Sequence, residues 1–207
     1  MRMQRRVLCG ALAAVVFPLA LTARKCDAKE KQLQESKKTL VIYFSRAGMN
    51  YWSGKIINLK VGNTALLAQE IAKQTNAELL EIVPRMPYPF EYRAATALAQ
   101  KEISEQARPE ISTQVPDLSN YGEVYLGFPI WWGLAPRPVI TFVEHCRWEG
   151  KTVHLFCTHE GSGITQGATE LKKALSGASV DIGPTLAGHD IANRVDVVKR
   201  YLQGINN

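Results

Sequence analysis

Cysteine is scarce in this chain, and it has no internal repeat and no long run of one charge. Four cysteines in 207 residues are too few for a disulfide scaffold. The absence of a CxxC pair argues against a zinc ribbon or a thioredoxin-type dithiol. His145, His154 and His189 show no ligand spacing with one another, so no metal site is expected. No basic run is longer than Lys37-Lys38 or Lys172-Lys173, which leaves no electrostatic footprint for nucleic acid. The chain is 46% hydrophobic and 21% charged, with 15 Gly and 10 Pro. Those values exclude disorder, collagen and coiled coil and leave room for about one domain.

The net charge of +6 is concentrated at the start, where residues 1–28 hold Arg2, Arg5, Arg6, Arg24 and Lys25 against Asp27. Residues 7–23 (VLCGALAAVVFPLALTA) are uncharged, follow that basic start and end in small residues, the arrangement of a secretory signal. Interrupted by Pro18, this stretch is short of the roughly 20 residues that span hydrocarbon, so export with cleavage is expected rather than a membrane anchor. Arg5-Arg6 before Val7-Leu8 looks like a degraded twin-arginine signal, which implies export of a folded protein to the periplasm. The expected organisation is a signal peptide over residues 1–28, a polar tether over 29–38 (KEKQLQESKK), and one domain over 39–207.

From Thr39 onward, apolar strand-like runs alternate with amphipathic helical patterns, the signature of an α/β doubly wound parallel sheet. Strands are expected at Thr39–Phe44, Glu78–Val83, Glu123–Phe128, Thr152–Cys157 and Ser179–Gly183. Helices are expected at Thr64–Thr75, Glu91–Ala107, Arg137–Cys146, Thr165–Leu175 and Asn193–Leu202. The uninterrupted apolar character of VIYF and VYLGF fits strands covered on both faces.

Ligands of such sheets bind beyond the carboxyl ends of the strands. Three loops there carry chemistry. The first holds Ser45, Arg46 and Ala47 and returns through Gly62 to Asn63, Thr64 and Ala65 at a helix start, where free amides and the helix dipole favour an anion. The second is Pro129-Ile130-Trp131-Trp132-Gly133, whose adjacent indoles are costly to leave in water unless they meet another flat surface; helix packing is the alternative. The third is Thr158-His159-Glu160-Gly161-Ser162-Gly163, whose glycines allow close backbone approach.

Taken together, these loops resemble those of the flavodoxins, over about residues 39–203. That resemblance implies a sheet of five parallel strands in the order 2-1-3-4-5 and noncovalent binding of FMN. It places the phosphate on Ser45, Asn63, Thr64 and the loop amides with Arg46 at the rim, the isoalloxazine against Trp131 and Trp132, and a flavin-tuning peptide at Gly133. The third loop lacks the outer aromatic of many flavodoxins, so His159, the insertion or an open face takes its place. Residues 49–62 (MNYWSGKIINLKVG) interrupt the expected phosphate loop. They are read either as a hairpin about Ser53-Gly54 that brings Tyr51 and Trp52 over the flavin, or as a surface flap.

The function implied is electron transfer with a redox partner protein or a small electron acceptor. The alternatives are an FMN-dependent NAD(P)H:quinone-type oxidoreductase of the same fold and a flavin-free binding module. Gly161-Ser162-Gly163 with Asp181 is a poor dinucleotide fingerprint, because Asp181 falls inside its strand. Glu160 at the first position also rules out a GxSxG nucleophile elbow.

Overall fold

The computed structural model describes residues 37–205. The expected signal peptide, residues 1–28, and most of the tether lie outside the described residues.

Five parallel strands carry the fold: β1 (Lys38–Tyr43), β4 (Glu78–Glu81), β5 (Tyr121–Pro129), β6 (Thr152–His159) and β7 (Ser179–Ala187). They pair in the order β4-β1-β5-β6-β7, which is the expected 2-1-3-4-5 once strands outside the sheet are set aside. Helices α1 (Asn63–Thr75), α2 (Tyr92–Ser104), α3 (Arg137–Glu144), α4 (Thr165–Ala174) and α5 (Arg194–Ile205) connect or follow them. Residues 49–62 do form a hairpin: β2 (Gly48–Trp52) pairs antiparallel with β3 (Lys55–Leu59) across Ser53-Gly54. Both turn residues have positive φ, 44° and 87°, as a tight two-residue hairpin turn demands.

The period of two along each strand divides the core. Leu40, Ile42, Leu126, Phe128 and Leu155 face one layer with Val139, Phe142 and Val143 of α3 and Leu171 of α4. Val41, Tyr43, Tyr125 and Phe156 face the other with Leu67, Ala68 and Ile71 of α1 and Val198 of α5. Each fully buried Leu or Ile side chain contributes roughly 1.5–3 kcal/mol. Gly127 exists for this packing, because a Cβ there would stand 2.0 Å from the Phe156 ring.

Element ends differ from expectation where tertiary pairing intervenes. β4 stops at Glu81 rather than Val83 because the Val83 N–H leaves the sheet to donate to Thr113 Oγ1. β7 continues past Gly183 to Ala187; it is an edge strand, so Pro184 costs no ladder bond that a neighbour needs. α2 ends at Ser104 rather than Ala107, with Gln106 at φ 50°. Lys38, assigned to the tether, already pairs with Tyr121 in β1.

Candidate functional site

Helix α1 begins at a residue with no side chain to cap it. Gly62 stands at its N-cap with φ −68° and ψ 147°, and its first turn holds no acidic residue. The amide of Ala65 donates to Ser45 Oγ at 3.1 Å. Amides of the first turn are therefore directed at the end of β1, with the positive end of the helix dipole behind them. Only glycine fits at position 62, because a Cβ would stand 2.2 Å from Ser45 Oγ and 2.6 Å from the Arg46 carbonyl oxygen. Thr64 Oγ1 and Thr158 Oγ1 lie 2.7 Å apart, buried, and join this loop to the end of β6.

A cavity of about 410 Å³ opens at this carboxyl edge of the sheet. Of the residues expected from sequence, Ser45, Arg46, Asn63, Thr64, Pro129, Ile130, Trp131, Trp132, Thr158, His159 and Glu160 line it. Ala47, Ala65, Gly133, Gly161, Ser162 and Gly163 stand outside its lining. The glycines of the third loop answer a backbone demand instead: Gly161 and Gly163 have φ of 108° and 66°, with open space where a Cβ would be.

Arg46 is a clamp. Its Nη1 donates to the Met49 carbonyl at 2.8 Å and to Asn50 Oδ1 at 3.2 Å, and its Nη2 donates to the carbonyls of Pro89 at 2.6 Å and Phe90 at 2.7 Å. The guanidinium thereby fastens the root of the hairpin to the segment before α2, and burial holds its pKa below the ordinary value. Its Nε and Asn63 Oδ1 are buried polar atoms without a protein partner.

The two tryptophans occupy different settings. Trp131 is gripped edge-on by Phe44 and Tyr88, with ring centroids 5.4 and 4.9 Å away. Behind it the Tyr88 hydroxyl donates to Glu102, and burial, then that carboxylate, raises the phenol's pKa. Trp132 is 55% exposed at the cavity mouth, and its Nε1 donates to the Thr96 carbonyl at 3.0 Å. Reciprocal bonds of 2.9 Å between Trp131 and Leu134 close a turn in which Trp132 and Gly133 have φ of 52° and 82°. Positive φ at a bulky non-glycine residue is backbone strain.

Sequence reasoning missed the outer wall. Tyr92, Ala95, Thr96 and Ala99 on α2, Asn50 and Leu59 on the hairpin, and Gly188 after β7 also line the cavity. Tyr51 lines it as well, with its ring 6.5 Å from that of Tyr92, while Trp52 turns the other way and packs on the α1 side of the core. Ser53-Gly54 marked the hairpin as one of two readings of residues 49–62; nothing in the α2 pattern signals a ligand wall. Cys157 is fully buried and its thiol is pushed up to about 12 by desolvation, so it is an inert core residue. Among the described residues no group of three or more His, Cys, Asp or Glu side chains could hold a metal ion, and no helix is long and apolar enough to cross a membrane.

The flavodoxin sequence profile matches residues 38–202. The chain belongs to the flavodoxin family. Solved structures agree with this family assignment. A protein designated a flavoprotein from Bacteroides uniformis is 29% identical with a TM-score of 0.61, over 83% of this chain and 99% of that one. A second, from Bacteroides eggerthii, is 30% identical with a TM-score of 0.59, over 79% and 98%. A Lactobacillus acidophilus flavoprotein in complex with FMN shares the fold at 22% identity and a TM-score of 0.54, over 77% and 99%. No curated protein matches the sequence. In this member the β2–β3 hairpin walls the cavity.

Proposed function

We propose that this flavodoxin-family protein binds FMN noncovalently and acts as an electron-transfer protein. The reading rests on one observation: the start of α1, where Gly62 leaves the first helical residues without an N-cap side chain, opens into the same cavity that Trp131 and Trp132 line. The residues fit the group. First-turn amides and the partnerless Arg46 Nε suit a phosphate, and the indoles suit a flat ring system. The Lactobacillus acidophilus relative holds FMN.

FMN supplies one- and two-electron redox chemistry, and the chain positions and tunes it. Ser45 and the α1 amides hold the phosphate end, while Trp131, fixed by Phe44 and Tyr88, gives the ring a rigid wall. An apolar wall disfavours added negative charge on the ring, so a reduction potential below that of free FMN is expected. The basic leader with Arg5-Arg6 supports export as a folded protein, with action in the periplasm on a redox partner protein or a small acceptor.

The second reading, an NAD(P)H:quinone-type reductase, is favoured by the half-open mouth where Trp132 and Tyr51 are exposed. Anaerobic NAD(P)H added to FMN-loaded protein separates them. A carrier stays oxidised until dithionite or a reduced partner is supplied, and a reductase bleaches with NAD(P)H alone.

A further inference from the structure

The third loop brings a carboxylate to an end of the cavity where anions are expected. Glu160 Oε2 accepts from the Ser53 N–H at 3.1 Å and lies 2.8 Å from His189 Nδ1; Oε1 accepts from the His189 N–H at 3.0 Å. This carboxylate therefore holds the hairpin tip on one side and the short 3-10 helix after β7 (Gly188–Asn193) on the other. Gly188 locates it relative to α1. A Cβ built there would lie 2.4 Å from Asn63 Nδ2 and 2.5 Å from Glu160 Oε1, so Glu160 adjoins the first residue of the helix whose amides face the cavity. Its side chain is only 20% exposed. The Arg46 guanidinium in the cavity lining does not pair with it, since its two Nη groups donate to the carbonyls of Met49, Pro89 and Phe90.

We propose that Glu160 sets this cavity's preference for a phosphorylated over an unphosphorylated flavin: its negative charge opposes the phosphate unless His189 carries a proton. The proposal rests on the FMN reading above. A lone carboxylate beside a phosphate site repels the dianion, whereas a protonated His189 turns the same carboxylate into a neutral pair.

The charged groups that face His189 are few. Glu160 contacts it from the loop after β6, and Asp190 Oδ2 of its own helix lies 3.8 Å from Nε2. The α1 end offers Asn63 and the hairpin offers the Ser53 amide, neither of which titrates. His159 lines the same cavity, with its Nδ1 taken by the Gly161 N–H at 3.0 Å. The hydrogen bond and charge of Glu160 raise the pKa of His189 above its ordinary 6.5, with Asp190 adding to them, so His189 is protonated at mildly acid pH and loses its proton as pH rises. Phosphate preference is then greatest at low pH and falls through the His189 titration.

The test is the ratio of riboflavin to FMN dissociation constants, measured on the full chain by flavin fluorescence from about pH 6 to about pH 9, a range that brackets histidine titration. The ratio removes any loosening of the ring-binding wall, which both ligands share. FMN's own second ionisation, near pH 6, also changes the repulsion by Glu160, so the comparison is decided from about pH 7 upward, where the phosphate is already mostly the dianion. Relative to Glu160→Gln, the wild-type ratio is expected to fall about tenfold over that range, the size of one charge repulsion at a partly screened site. His189→Gln is expected to show the low wild-type ratio of high pH even at the lower end of that range. Should Glu160→Gln bind neither ligand, the His189→Gln comparison decides alone. Superimposable pH profiles for the wild type and the variants overturn the proposal while leaving the FMN reading intact. Failure of the wild type to bind either flavin overturns the reading beneath it.

Discussion

Thr64 and Thr158, 94 residues apart in sequence, share a buried hydroxyl–hydroxyl hydrogen bond of 2.7 Å. It ties the first turn of α1 to the last turn-in of β6, and thus the expected phosphate loop to the third loop of the site. Thr158→Val keeps the shape and leaves the Thr64 hydroxyl buried without its partner, a loss of about 1–2 kcal/mol in urea unfolding. FMN affinity is expected to drop severalfold in the same variant, by fluorescence titration.

At Gly62 the expected effect is larger. Any Cβ overlaps Ser45 Oγ and the Arg46 carbonyl, so Gly62→Ala must push the loop away from α1. Overpacking of this kind costs about 1–3 kcal/mol. The variant should remain folded, show a lower Tm and bind FMN at least tenfold more weakly. Unchanged affinity would separate this loop from the cofactor site.

Trp132 is strained and exposed together, a combination that burial does not explain. Trp132→Gly relieves the positive φ and is expected to leave stability unchanged or raise it by up to about 1 kcal/mol. Its flavin affinity should nevertheless fall, because the indole pinned to the Thr96 carbonyl is lost from the mouth. A variant both less stable and equally tight in flavin binding would contradict a functional origin for the strain.

On the α1 side of the sheet, His154 is buried against Tyr125 and bonded to Tyr201 of α5 through Nδ1 at 2.9 Å. Its Nε2 has no partner. Burial lowers the pKa of His154 below 6.5, partly offset by Glu123 and Asp181. The folded state thus takes up its proton less readily than the unfolded chain. Stability is complete above the unfolded pKa and is lost as pH falls from there through the lower folded pKa. Urea midpoints measured at neutral and mildly acid pH should show this loss in the wild type, and a smaller one in His154→Gln.

Much of the architecture was legible because VIYF and VYLGF are apolar without interruption, which only a sheet covered on both faces requires. Ser53-Gly54 allowed a hairpin by its turn chemistry but left a surface flap equally open, and the positive φ of both residues is seen only in the fold. Ser45, Trp131 and Glu160 could be singled out as cavity-lining because they follow strands at the sheet's carboxyl edge, and Asn63 because it opens a helix there. Ala95, Thr96 and Ala99 were not, since they reach the cavity through the packing of α2, and a small residue on a helix face carries no local sign of what it will face. Glu160 lines the cavity, but its engagement with His189 depends on β7 running on through Pro184, which a strand read as ending at Gly183 hides.

The proposed FMN site lies between the α1 start and the Trp131-Trp132 turn. Titration of FMN with the purified protein, followed by flavin fluorescence, tests it most directly. The account predicts stoichiometric quenching that is lost when Trp131 and Trp132 are both changed to Ala in a protein that stays folded. Absence of quenching by well-folded wild-type protein would contradict the account and leave a flavodoxin scaffold put to flavin-free binding.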